Sequence, residues 1–187
     1  ASDKKIFVSG SNVTLGNIEG TIELKGSTDL WYLDLSKSTD GYDTIIVNKD
    51  DGKTVKFGNW QLSKIKNVVV EKGITTFDTP IEIENFSTSE NAGDITFSNN
   101  TTITNSCEIN SKNTVSFGSD ENSTTTFGTE ENPVNFTHTA GQTNIKGSLT
   151  ANDINCGNTT IAGNVVANEI TLAENTIDGT VTGTEIT

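Results

Sequence analysis

Apolar and polar residues alternate along most of this chain in bursts of three to five residues, the period of a half-buried β-strand. The bursts recur as Val55-Lys56-Phe57, Thr75-Thr76-Phe77, Ile95-Thr96-Phe97, Val115-Ser116-Phe117 and Val134-Asn135-Phe136, with the Phe positions 20, 20, 20 and 19 residues apart. Ile154-Asn155-Cys156 and Ile170-Thr171-Leu172 continue the series, and Ile186-Thr187 opens another turn. Gly and Asn punctuate the bursts, as corners that tolerate positive φ require. No helical stripe extends beyond about two turns, and the Thr, Asn and Gly that fill the repeat are poor helix formers.

The last turns match almost residue by residue: 141–154 aligns with 157–170 and with 173–186, so the repeat shortens to 16 residues. The shortening corresponds to loss of residues 137–140, which predicts an optional bulge or loop on the wall there, with His138 in solvent. Strand, corner, strand and corner at this period predict an all-β fold, a single-stranded parallel β-helix (β-solenoid) with 16–20-residue coils. Right-handed winding is the default for parallel crossovers. Stacking puts equivalent residues about 4.8 Å apart. The spacing therefore predicts an inner column of Phe57, Phe77, Phe97, Phe117 and Phe136, a second of Ile145, Ile161 and Ile177, and a third of Leu149, Val165 and Val181. Residues 54–187 are expected to be regular coils without a C-terminal cap. Residues 1–53, irregular in spacing, are expected to be a cap and irregular first coils.

Composition narrows the function. Hydrophobic residues make up only 32%, which suits an elongated object with a thin core. The formal charge is −13, and the cations are 12 Lys with no Arg. A phosphate backbone is repelled and the bidentate Arg fork that reads guanine is absent, so nucleic acid and anionic membranes are poor partners. No apolar run approaches the roughly 18 residues a membrane span needs, so no membrane insertion is expected. The chain opens without Met, as a processed or excised segment does.

Chemistry-bearing residues are sparse. His138 has no G-x-S-x-G nucleophile to serve. Cys107 and Cys156 lack CxxC spacing, and the alignment sets them about three coils apart, beyond disulfide reach, so both are expected as free thiols. Asp153, Glu169 and Glu185 stack at a corner, but no calcium-binding nonapeptide accompanies them, and a solvated turn is the better reading. No catalytic residue, metal site or cofactor is therefore expected. Two binding surfaces are candidates. One is an outward polar ladder, Thr76, Thr96, Ser116, Asn135, Asn155 and Thr171. The other is an aromatic patch of Trp31, Tyr32, Tyr42 and Trp60, conceivable as a sugar platform. Ice binding calls for paired Thr-x-Thr columns, and the alignment yields single columns interrupted by Asn.

The Thr/Asn/Gly-rich repeats of residues 54–187, free of Met and Arg, resemble the β-helical passenger regions of bacterial exported adhesins of the filamentous-haemagglutinin and autotransporter type. That resemblance implies an extracellular or cell-surface location, and adhesion to a protein or glycan on a host or neighbouring cell. The final coils, with Ile177-Asp-Gly179-Thr-Val181-Thr-Gly183, are also similar to bactofilins, β-helices that polymerise end to end, which implies self-association through the C-terminal coil. A polysaccharide-cleaving β-helix of the lyase or tailspike type is the competing enzyme reading. Resemblance to pectate lyases would imply an Arg base, and the chain has none.

Overall fold

The computed structural model describes residues 5–38, 41–58 and 63–187. Among them every regular element is a strand, and the strands named below pair in parallel. They wind into a β-solenoid of about nine turns with coils of roughly 20 residues. The first turns contribute two strand segments each and the turns from residue 63 onward three, so the solenoid has three walls over most of its length.

The first wall stacks residues 63–65, 81–83 and 101–103, then Thr124–Phe127, Ser148–Thr150, Asn164–Val166 and Thr180–Thr182. The second begins with Lys5–Val8 and Thr21–Gly26 and runs through 44–47, 67–70, 85–88 and 106–109. It is taken up again by 136–138, 153–156, 169–172 and 185–186. The third runs from Asn12–Thr14 and Leu30–Asp34 through Thr54–Phe57, 74–77, Ala92–Phe97 and Val115–Phe117 to 142–145, 158–161 and 174–177. Residues 5–49 thus stack on the second and third walls of the later coils, and only Tyr42, paired with Ile65, reaches the first.

Alternation explains the burial. In Thr54–Phe57, Val55 and Phe57 are fully buried while Lys56 faces out. Phe57, Phe77, Phe97 and Phe117 form a column on the third wall, with ring centroids 4.6, 4.8 and 5.3 Å apart. Stacked aromatics of this kind add about 0.5–1.5 kcal/mol per pair beyond burial.

Above Phe117 the expected columns change. Phe117 pairs with Ile145, not Phe136, and the column continues through Ile161 and Ile177. Phe136 lies on the second wall beneath Ile154, and its ring stacks on Phe127 at 5.0 Å. The Phe column and the Ile column are therefore one. The spacing from Phe117 to Ile145 is 28 residues, and only from there is it 16. The extra length leaves the wall after Phe127, where an antiparallel bridge between Gly128 and Pro133 closes a turn. A Phe-to-Phe spacing of 19 residues disguised this excursion, because it led from one wall to another. The column Leu149–Val165–Val181 is present as expected.

Residues 137–140 belong to the strand Phe136–Ile145, and the length that the shorter coils lack is taken up there as a bulge between His138 and Gln142 rather than as a loop. His138 is fully buried, stacked beneath Cys156 and Leu172. One ring nitrogen, Nε2, lies 3.0 Å from the Ser111 carbonyl, and the other, Nδ1, lies 2.9 Å from the Thr143 hydroxyl. A carbonyl accepts only, so Nε2 donates, and the neutral ring accepts from Thr143 through Nδ1. Both nitrogens are satisfied without water, which is why a polar ring can occupy an apolar column.

Candidate functional site

The predicted polar ladder is two ladders. On the third wall Lys56, Thr76, Thr96 and Ser116 stack in register, and the next residues are Asn144, Thr160 and Thr176. Asn155 and Thr171 belong to the second wall, above Thr137. Asn135 precedes that strand and accepts a hydrogen bond from the Asn152 side chain at 2.7 Å. The slip at Phe136 accounts for the whole difference.

Of the predicted aromatic patch, only part lies on the surface among the described residues. Trp31 is 57% exposed, at the bulge where Leu30 and Leu33 pair with Val55 and Phe57. Tyr32 is half-buried against Gly58. Tyr42 is buried, its hydroxyl 3.1 Å from both the Leu15 and Leu35 carbonyls, and burial pushes its ionisation up to about 12. A residue so placed offers no face to a sugar. Trp60 lies outside the described residues.

A groove of about 830 Å³ opens beside Tyr42, bordered by Ile18, Glu19, Asp43, Lys64 and Glu82. Lys64 pairs with Glu82 at 3.0 Å, and Asp43 accepts from the Gly20 amide at 3.2 Å. Asp153, Glu169 and Glu185 do stack in register, as the alignment predicted. Asp153 is held by the Asn152 side chain at 3.0 Å and the Glu169 amide at 3.3 Å. Among the described residues no cluster of His, Cys, Asp and Glu has the arrangement of a metal site. Cys107 and Cys156 are free thiols, separated by the single coil that carries Phe136 and His138 rather than by two. Burial pushes the Cys156 thiol up to about 11, far from the thiolate a nucleophile needs.

Three features escaped the sequence reading. The first is a corner ladder of amides. Asn67 donates to the Thr44 hydroxyl at 3.1 Å, Asn85 to Asn67 at 3.0 Å, Asn105 to Asn85 at 2.6 Å and Asn132 to Asn105 at 3.2 Å. Its members are 18, 20 and 27 residues apart, too uneven to read as a repeat.

The second is a grid on the first wall. Thr124 and Thr126 stack beneath Ser148 and Thr150, Thr150 beneath Val166, and Asn164 and Val166 beneath Thr180 and Thr182. Thr102 lies under Thr126. These are paired columns of the X-x-X form, mostly Thr, with no charged member. The Phe motifs drew attention to the third wall, and the outward pairs of the first wall could be aligned only once the walls were known.

The third is the distribution of charge along the axis. Residues 1–72 hold ten Lys and ten Asp or Glu, whereas residues 73–187 hold two Lys and fifteen Asp or Glu. All the net negative charge therefore resides in the later coils.

No protein-family model, curated protein or solved structure matches the chain.

Proposed function

We propose that this chain is a non-catalytic display scaffold, an adhesive segment of a bacterial cell-surface or secreted protein that presents flat polar strand faces to a protein or glycan. The observation that carries this reading is the third-wall ladder, in which one outward position stays polar and in register from Lys56 to Thr176 over seven coils. Such a face is rigid before any partner arrives, so little ordering entropy is lost on contact. Its small hydroxyl and amide side chains offer many weak hydrogen bonds rather than a few anchors, which suits a repetitive partner bound with avidity. The buried state of His138 and Cys156 leaves neither as a surface nucleophile or base. The bacterial surface location rests on the likeness of repeat style to exported adhesins.

The test is binding of the fluorescent chain to glycan arrays and to immobilised matrix and bacterial surface proteins. A triple variant, Thr76→Glu, Thr96→Glu and Ser116→Glu, is expected to lose most of the signal while keeping its circular dichroism. Absence of binding to every surface, or binding indifferent to the triple variant, would sink the proposal.

A further inference from the structure

We infer that the first wall of the later coils is an ice-ordering face, one that fits the surface of crystalline water. The inference is independent of the third wall and of the adhesive reading.

The geometry comes first. Outward residues two apart along a strand are separated by about 6.6–6.8 Å, and neighbouring coils by about 4.7–4.9 Å. The grid therefore repeats at two fixed spacings at right angles. Its pairings run from Thr124 to Thr182 without a register shift, whereas the second and third walls contain bulges. Beneath it Thr125, Leu149 and Val165 are buried in the core, so the array is backed by close packing.

The chemistry is the second part. Threonine is stiff at χ1, so Thr124, Thr126, Thr150, Thr180 and Thr182 each hold a hydroxyl and a methyl in one orientation, while Ser148 and Asn164 supply the hydrogen-bonding group alone. The hydroxyl donates and accepts, as lattice water does. The methyl cannot bond to water and confines it between neighbouring rows. Val166, 46% exposed, keeps the threonine shape with a second methyl in place of the hydroxyl.

Charge is the third. No outward residue of these first-wall strands is charged, yet the same coils carry Asp153, Glu169 and Glu185 on the second wall. Fixed charges orient water radially and break a neutral lattice, so their exclusion from one wall of so acidic a chain selects a neutral partner. A periodic, neutral, hydrogen-bonding solid is the partner that such a face suits, and crystalline water is the one assigned to it here.

The experiment partitions the fluorescent 187-residue chain between slowly growing polycrystalline ice and liquid, alongside an ice-recrystallisation assay. The chain is expected to enter the ice and to arrest grain growth. Thr150→Lys, outward at the grid's centre, is expected to be rejected to the level of serum albumin with unchanged melting. Thr180→Lys, on the outermost coil, is the second variant should Thr150→Lys fold poorly. Thr160→Lys, outward on the third wall, is expected to partition as the parent does. Rejection of the parent chain to the albumin level overturns the inference, and so does full partition of both grid variants. Retention on crystalline cellulose or chitin without entry into ice also overturns it, in favour of a polysaccharide lattice.

Discussion

Phe97 illustrates what one residue contributes here. Its ring lies between Phe77 and Phe117 and meets Phe86 edge-on at 5.3 Å. Phe97→Ala is expected to cost about 3–5 kcal/mol, read as a lower urea midpoint, since a column cannot collapse around one missing rung. His138 makes a different statement, because burial pulls its ionisation below the ordinary histidine value. The unfolded chain then takes up a proton before the folded one. Stability is therefore unaffected above about pH 6.5 and falls as pH drops from there toward the folded value. His138→Leu, matching Leu172 in the same column, is expected to flatten that part of the pH profile of the melting temperature. It is also expected to lower stability by about 1–3 kcal/mol at neutral pH, since the Ser111 carbonyl loses its partner. An unchanged profile would mean that other groups set the acid limb.

Elements in this fold are held from coil to coil. Asn85 donates to Asn67 and accepts from both Asn105 and Ser106. Asn85→Ala is expected to cost about 1–3 kcal/mol, with Asn105 losing hydrogen-exchange protection first. Gly147, Gly163 and Gly179 form a second kind of column, in which a Cβ on Gly163 would press into the Gly147 carbonyl and one on Gly179 into that of Gly163. Gly163→Ala is expected to destabilise, measured by thermal melting, while Gly52→Ala, with open space around it but a φ of +71°, tests backbone strain alone. The solenoid was legible because Val55, Ile95 and Val115 recur with their Phe partners at a constant interval, and register in a parallel stack repeats the same choice at every level. The walls were not legible where an excursion carried a Phe of the second wall to the spacing expected on the third. Residues 128–135 lengthen one coil, so Val134-Asn135-Phe136 mimicked a rung it does not occupy. The polar ladder inherited that slip. Tyr42 left the aromatic patch for another reason, because proximity in sequence to Trp31 and Tyr32 says nothing about which side of a strand it takes.

At the scale of the molecule, charge and aromatic packing divide the solenoid unequally. The stretch from 73 to 187 carries all the net charge of −13, and only two lysines lie within it to offset the repulsion. Added sodium chloride is therefore expected to raise the melting temperature, since exposed charges are screened within about 10 Å at 0.1 M salt. A fall on adding salt would show that the ion pairs of the early coils, such as Lys5 with Glu23 at 2.6 Å, outweigh that repulsion. The stacked rings run from Phe57 to Phe136, leaving aliphatic rungs above.

Unequal coil lengths also carry a mechanical consequence. Under tension applied across the 187-residue stretch, coils peel one at a time, because each is held only by its neighbours. A freed residue extends by about 3.3–3.6 Å. Each coil of the 16-residue kind then releases roughly 55 Å of contour, and the coil from Phe117 to Ile145 roughly 95 Å. A force trace of this chain reads as a ruler with one long division, and that division marks where the aromatic column ends.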